Sequence, residues 1–314
     1  MTQHYITEWT RTHRENFRKA PTLWHHRIHE SPLFSDEKLI ELIEKHPRDL
    51  ADFCTMNDGA DDMSSWRGGD PGNHSGEQLL AAVRSGRLWI NLRETFNVYD
   101  DYAAILNTLI GELKALNPGF DPVYARGGLL ISSPSAGVPY HIDRTDVLLW
   151  HLRGHKRIWV YPIDEDTMPE HEVEEILLHE HNDDVPYQSK MDQKATVYDL
   201  EPGQAAAWPL HAPHRVLNQG DLNVSITVEY SPFSTIMQNG AQITNGILRR
   251  RLGLNPRIEN QGYMNRLVRF AASRLLRKMK LVKAKTAHEG GYLFKVDPHA
   301  KTAVKELGDT EAAA

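Results

Sequence analysis

In the stretch "PYHIDRTDVLLWHLRGHKRIWVYP", residues 139 to 162, a histidine and an aspartate stand two apart just ahead of an apolar-rich run. Residues i and i+2 of a strand point to one face, so His141 and Asp143 can converge on a single point inside a barrel mouth. An imidazole nitrogen and a carboxylate oxygen so placed make two-thirds of a facial triad, the ligand set that leaves open positions on Fe(II). A second histidine is needed. "EPGQAAAWPLHAPHRVLNQG" supplies two candidates, His211 and His214, the latter 71 positions after Asp143. Lys156 adds a second kind of chemistry. "DVLLWHL" and "KRIWVYP" read as a hairpin joined by Arg153-Gly154-His155, with Lys156, Ile158 and Val160 on one face of its second strand. If that face is the inner one, the ammonium requires an anion, because a buried unpaired charge is costly. A metal triad beside a buried cation fits 2-oxoglutarate, whose keto-acid end chelates iron while its far carboxylate meets the cation. A surface lysine on an edge strand is the alternative.

These residues need a scaffold. From Leu88 onward, "RLWINL", "GGLLISS", "ATVYDL", "GQAAAWPL" and "NVSITVEY" read as short strands with Gly, Pro and Asn-rich breaks, the pattern of an antiparallel sandwich or barrel. Ahead of them, Ser35 can cap a helix over "DEKLIELIEKH", and Tyr102, Ile105, Leu106, Leu109, Leu113 and Leu116 recur at helical spacing. Between those helices, "DGADDMSSWRGGDPGNHSG" has five glycines in nineteen residues and reads as a long loop, with Trp66 and Arg67 at its centre able to cover a ligand. The segment "MPEHEVEEILLHEHNDDVPYQSK" carries His171, His179 and His181 but lacks strand character, and reads as a solvated excursion. Residues 264 to 285 hold eight Lys or Arg and no acid, with Met264, Val268, Ala271, Leu275 and Val282 along one face. This reads as an amphipathic helix whose apolar stripe is expected to pack on the body of the protein or on a second copy, with contact to an anionic membrane or nucleic acid as the alternative.

Composition excludes several classes. The chain has 314 residues, 40% of them apolar, enough to bury a sizeable core. A formal charge of −6 supplies no global basic field for nucleic acid. Cys54 is the only cysteine, which excludes an internal disulfide or a cysteine-based zinc cluster. The first twenty residues lack the apolar core of a signal peptide, and no window approaches the ~20 apolar residues of a membrane span. A cytoplasmic protein that contacts neither nucleic acid nor membrane is expected.

The run "HIDRTDVLLWHLRGHKRIWVYP" followed by "EPGQAAAWPLHAPHRV" resembles the cupin-like Jumonji-C family of Fe(II)/2-oxoglutarate oxygenases, in the branch related to the asparaginyl hydroxylase of hypoxia-inducible factor. The resemblance covers roughly residues 125 to 232. It implies that His141, Asp143 and His214 are the iron ligands, with His214 rather than His211 fixed by counting from Pro209, and that Lys156 anchors 2-oxoglutarate. Three positions depart from the pattern, of which Gln204, in place of the common aspartate after Pro202-Gly203, is a turn position of little chemical consequence. Glu229 falls where the hydroxylase has an asparagine near the metal-chelating end of 2-oxoglutarate, and a carboxylate there should repel the cosubstrate unless protonated, salt-bridged or out of register. Val138 replaces a threonine that helps hold the distal carboxylate, so Tyr124 or Ser132 is expected to substitute.

The fold expected is mainly β with α additions: a double-stranded β-helix, or cupin/jelly-roll, core at residues 121–235, after a helical N-terminal part (1–120) and before a C-terminal helical extension (236–314) with a frayed tail. The function expected is an oxygenase that uses Fe(II), 2-oxoglutarate and O2 to hydroxylate a C–H bond of a protein side chain or small molecule, as a homodimer through the C-terminal helices. A metal-binding cupin with chemistry independent of 2-oxoglutarate, and a non-catalytic regulatory or binding module, are the alternatives.

Overall fold

The computed structural model describes residues 4–56, 66–180, 185–282 and 292–307. Before the core lie β1 (Thr22–His25), β2 (Ala51–Thr55), β3 (Arg67–Asp70) and β4 (Trp89–Leu92). The core strands are β5 (Pro122–Ser132), β6 (Gly137–His141), β7 (Asp146–Arg153), β8 (Lys156–Val160), β9 (Thr196–Leu200), β10 (Gln204–Ala207), β11 (His214–Asn218) and β12 (Asn223–Pro232). Two short strands, β13 (Phe294–Val296) and β14 (Val304–Glu306), follow. The helices are α1 (Arg11–Asn16), α2 (Asp36–Lys45), α3 (Gly76–Ser85), α4 (Thr95–Val98), α5 (Asp100–Leu116), α6 (Glu170–Leu177), α7 (Phe233–Leu252) and α8 (Tyr263–Lys278). None of them is long and apolar enough to cross a membrane.

Among the described residues the strands form a ten-stranded sheet, ordered β1-β10-β7-β12-β5-β4-β2-β3-β13-β14, and a four-stranded sheet, β6-β11-β8-β9. Period-two alternation gives the large sheet two apolar faces. Leu129, Ile131, Leu148, Trp150, Val224, Ile226 and Val228 point outward into a core with Leu39 and Leu42 of α2, Leu79 and Val83 of α3 and Leu109 of α5. Trp24 of β1 meets Trp150 edge to face there at 5.3 Å, an arrangement that contributes about 0.5–1.5 kcal/mol beyond area burial. The other face, through Val147, Leu149, Ala206 and Leu130, packs on Ile158, Val160 and Val216 of the small sheet. The two facing sheets are a double-stranded β-helix. Both flanks of the chain hydrogen-bond into the large sheet, the N-terminal part through β1 beside β10 and β4 beside β5, the C-terminal part through β13 beside β3.

Two segments differ from expectation. The excursion with His171 and His179 is in part helix α6, whose Val173, Ile176 and Leu177 cover Tyr140 and Ile142 on the outer face of the small sheet. An eight-residue helix with three inward apolar side chains is too short to announce itself by periodicity. His181 lies outside the described residues; the His179 imidazole meets the Arg144 guanidinium at 2.7 Å. The glycine-rich stretch contributes β3, because Gly68 and Gly69 let the chain lie flat between β2 and β13. A Cβ on Gly69 would stand 2.2 Å from the Phe294 ring. Arg67 therefore belongs to an inner strand of the large sheet, with Trp66 just before it, rather than to a lid over the barrel mouth: Trp66 packs edge to face on Trp89 at 4.3 Å, and Arg67 pairs with Glu306. Residues 57–65 lie outside the described residues.

Candidate metal centre and anion pocket

His141 ends β6 and His214 begins β11, and the two are direct partners in the antiparallel ladder. Their ring centroids lie 4.2 Å apart. Asp143, two residues beyond the strand, folds back so that one ligand atom from each of His141, Asp143 and His214 lies within 4.8 Å of the others. His214 Nε2 stands 3.4 Å from Asp143 Oδ2.

Both imidazoles are oriented by backbone carbonyls. His141 Nδ1 is 2.7 Å from the Pro139 carbonyl and His214 Nδ1 is 3.1 Å from the Ala212 carbonyl. A carbonyl only accepts, so both protons sit on Nδ1 and each Nε2 presents its lone pair. Burial and the neighbouring His141 hold His214 well below the usual imidazole range, which keeps it neutral. Two imidazole nitrogens and one carboxylate, converging on one point, fit the donor set of a non-haem iron facial triad. The Trp208 ring backs His214 at 4.4 Å. His211, the other candidate from the sequence, is buried but lies outside this group.

Lys156 lies at the opposite end of the same face of the small sheet. The turn before it needs Gly154, whose φ is +79° and whose Cβ would meet the Leu222 carbonyl oxygen at 2.7 Å. That turn points Lys156 inward with Ile158 and Val160, 4% exposed. Lys156 pairs with Asn218 of β11 while Val160 pairs with His214. Four strand residues thus separate it from the triad, about 13 Å along the backbone. Burial alone brings its pKa down to about 7, and no carboxylate among the described residues pairs with it. The nearby polar groups are neutral. His151, held at about 3 by burial and by Lys156, donates from Nε2 to the Gly154 carbonyl and accepts at Nδ1 from Ser225. Asn218 donates to Ser132 Oγ at 2.8 Å and to the Ser133 carbonyl at 2.7 Å.

The remaining positions separate. Ser132 joins the Lys156 end through Asn218. Tyr124 lies eight residues away on β5, about 26 Å along the strand. It is 39% exposed, and its hydroxyl accepts from Ser231. The structure does not bring it to Lys156. Val138 is part of the apolar interior. Glu229 sits on the inward-facing row of β12 opposite Val147 and Arg126, at the triad end, where it is exposed. Solvent there screens its charge, which weakens the repulsion expected for a cosubstrate. No signal in the sequence pointed to His151, Ser225 or Asn218, whose roles depend on cross-strand neighbours.

The Lys156 environment predicts a pH effect. The folded chain releases this proton near pH 7 and the unfolded chain near 10.5, so between those values the unfolded state binds more protons. Stability of the metal-free protein should therefore rise with pH over that window, by at most about 1.4 kcal/mol per pH unit, and Lys156→Met should remove the rise. Denaturant melts from pH 6.5 to 9.5 measure this; identical slopes for the two proteins overturn it.

No sequence-family model matches the chain, and no curated protein matches it. Solved structures do. YcfD, a ribosomal oxygenase from Escherichia coli, in complex with cobalt and 2-oxoglutarate, aligns with a TM-score of 0.52 at 16% identity, over 90% of this chain and 69% of that one. An X-ray structure of E. coli YcfD aligns with a TM-score of 0.51 at the same identity, over 90% and 70% of the two chains. The likeness identifies the architecture alone: this chain is built on a double-stranded β-helix, the cupin or jelly-roll fold.

Proposed function

We propose that this chain is an Fe(II)- and 2-oxoglutarate-dependent oxygenase that hydroxylates an unactivated C–H bond of a protein side chain or small molecule. One observation carries the reading: a buried lysine with no carboxylate partner among the described residues stands on the same face of the small sheet as a His-Asp-His cluster. A ligand with a chelating anionic end and a second carboxylate satisfies both, and 2-oxoglutarate has that form. The YcfD complex with cobalt and 2-oxoglutarate, on the same fold, supports it. Bound iron, 2-oxoglutarate and O2 would supply the oxidant, with succinate and CO2 as the other products.

The chain's own residues would do the rest. His141, Asp143 and His214 would hold the metal on one face and leave the other open. Lys156 would anchor the distal carboxylate, with Ser132 and Asn218 beside it. Leu130, Val147, Leu149 and Ile158 line the interior and exclude water from the reacting side. YcfD is described as a ribosomal oxygenase, which favours a protein segment as the substrate of this chain. The lone thiol of Cys54 suits the reducing cytoplasm. Calorimetry tests the reading: 2-oxoglutarate should bind the manganese-loaded protein one to one and the metal-free protein far more weakly. Metal binding without 2-oxoglutarate binding leaves a metal cupin of other chemistry. Binding of neither leaves a non-catalytic module.

A second copy is part of the same proposal. Helix α8 packs on α7 through Phe270 and Ser273, while Met264, Val268, Leu275 and Met279 face solvent. Among the described residues nothing covers this stripe, and a twofold-related α8 would. Sedimentation should show a dimer that Val268→Asp with Leu275→Asp converts to monomer; a monomeric wild type at tens of micromolar overturns it.

A further inference from the structure

Helix α7 reaches the metal centre without contributing a ligand. Asp143 lies in the connection between β6 and β7, and α7 grips that connection on its far side. Thr235 donates to the buried carboxylate of Asp146, and Asn239, one helical turn later on the same face, donates from Nδ2 to the Arg144 carbonyl at 2.7 Å. Arg144 follows Asp143 directly. Asn239 also lies against the His211 imidazole, which burial keeps neutral.

His211 belongs to the other ligand's lead-in. It holds a left-handed φ of +64°, a conformation uncommon outside glycine and costly enough to need support from its surroundings. The next residue, Ala212, supplies the carbonyl that orients His214. His211 Nε2 and Asn239 Oδ1 are both buried, and neither closes a hydrogen bond of ordinary length. Asn239 thus stands between the loop that carries the carboxylate and the loop that aims the second histidine.

We infer that Asn239 is a positioning residue for the metal centre, bracing the Asp143 loop through the Arg144 carbonyl so that α7 sets the spacing of carboxylate and histidine. The inference rests on the metal-centre reading above. A loop released from this bond would let Asp143 sample positions away from the two Nε2 atoms, and the affinity for metal would fall by the fraction of time it spends there.

Cobalt titration of the full chain tests this, because the visible spectrum of bound Co(II) reports its coordination. Asn239→Ala should weaken Co(II) binding about 10- to 100-fold, as other residues behind metal ligands do, and should broaden or shift the visible bands. Asn239→Asp separates two roles. It keeps an acceptor towards His211 but cannot donate to the Arg144 carbonyl, so it should fail as alanine does. Thr244→Ala is the control: it removes a hydrogen bond from the same helix to the Arg269 carbonyl, far along the chain from the loop, and should leave cobalt affinity within about twofold. Wild-type binding with an unchanged affinity and spectrum in Asn239→Ala overturns the brace alone. Equal losses in Asn239→Ala and Thr244→Ala, following their melting temperatures, overturn it in favour of a purely structural role. A wild type that takes up no cobalt overturns the metal centre and the brace together.

Discussion

Replacing His214 by alanine should leave a folded protein that no longer holds a divalent metal ion. The substitution removes one of two imidazole nitrogens from a three-atom donor set. Residues that merely support a ligand cost 10–100-fold in affinity when removed, so loss of the ligand itself should exceed about 100-fold. Truncation beside Trp208 also leaves a small cavity, with a stability cost of about 1–3 kcal/mol that circular dichroism and a denaturant melt can measure. His211→Ala gives the contrast. That imidazole lies outside the donor group, so the metal should remain bound with at most about a tenfold change. Metal analysis after dialysis decides between the two histidines. Retention by His214→Ala and loss by His211→Ala would mean that the wrong histidine has been assigned to the centre.

Lys156→Met should separate the two ends of the pocket. Methionine keeps an unbranched apolar stem, and it removes an ammonium that the fold buries at a cost, so the barrel should be at least as stable. The triad is about 13 Å away along β11 and should bind metal as before. The diacid should suffer. A charge-assisted hydrogen bond contributes about 1.5–3 kcal/mol, which corresponds to about 10- to 150-fold weaker 2-oxoglutarate binding. Because the free lysine titrates near 7, wild-type affinity should also decline as the pH rises above that value, while the methionine variant stays flat. Calorimetry on manganese-loaded protein measures both. Equal affinities for the two proteins would remove Lys156 from the site, and no 2-oxoglutarate binding by either would remove the oxygenase reading.

Local patterns carried much of this in the sequence itself. Strand alternation put Lys156 on one face with Ile158 and Val160, as the two-residue period of a strand dictates, whereas Asp143 lies beyond the end of β6 and meets His141 through the connection rather than by strand period. Helical spacing located α5 from Tyr102, Ile105, Leu106, Leu109 and Leu113, because an amphipathic helix writes its buried face into consecutive turns. Other features depend on partners remote in the chain. Strand β3 exists because β2 and β13 supply its hydrogen bonds, a fact two glycines cannot display. Helix α6 is helical on an outer sheet face that only the folded barrel creates. Tyr124 and Ser132 look interchangeable in sequence, yet β5 runs unbroken through both and sets them at opposite ends. Asn239 carries no motif; its place at the Arg144 carbonyl follows from how α7 crosses the barrel. Periodicity is a property of neighbours along the chain and can be read there, whereas strand register and the meeting of loops are fixed by packing between residues a hundred positions apart.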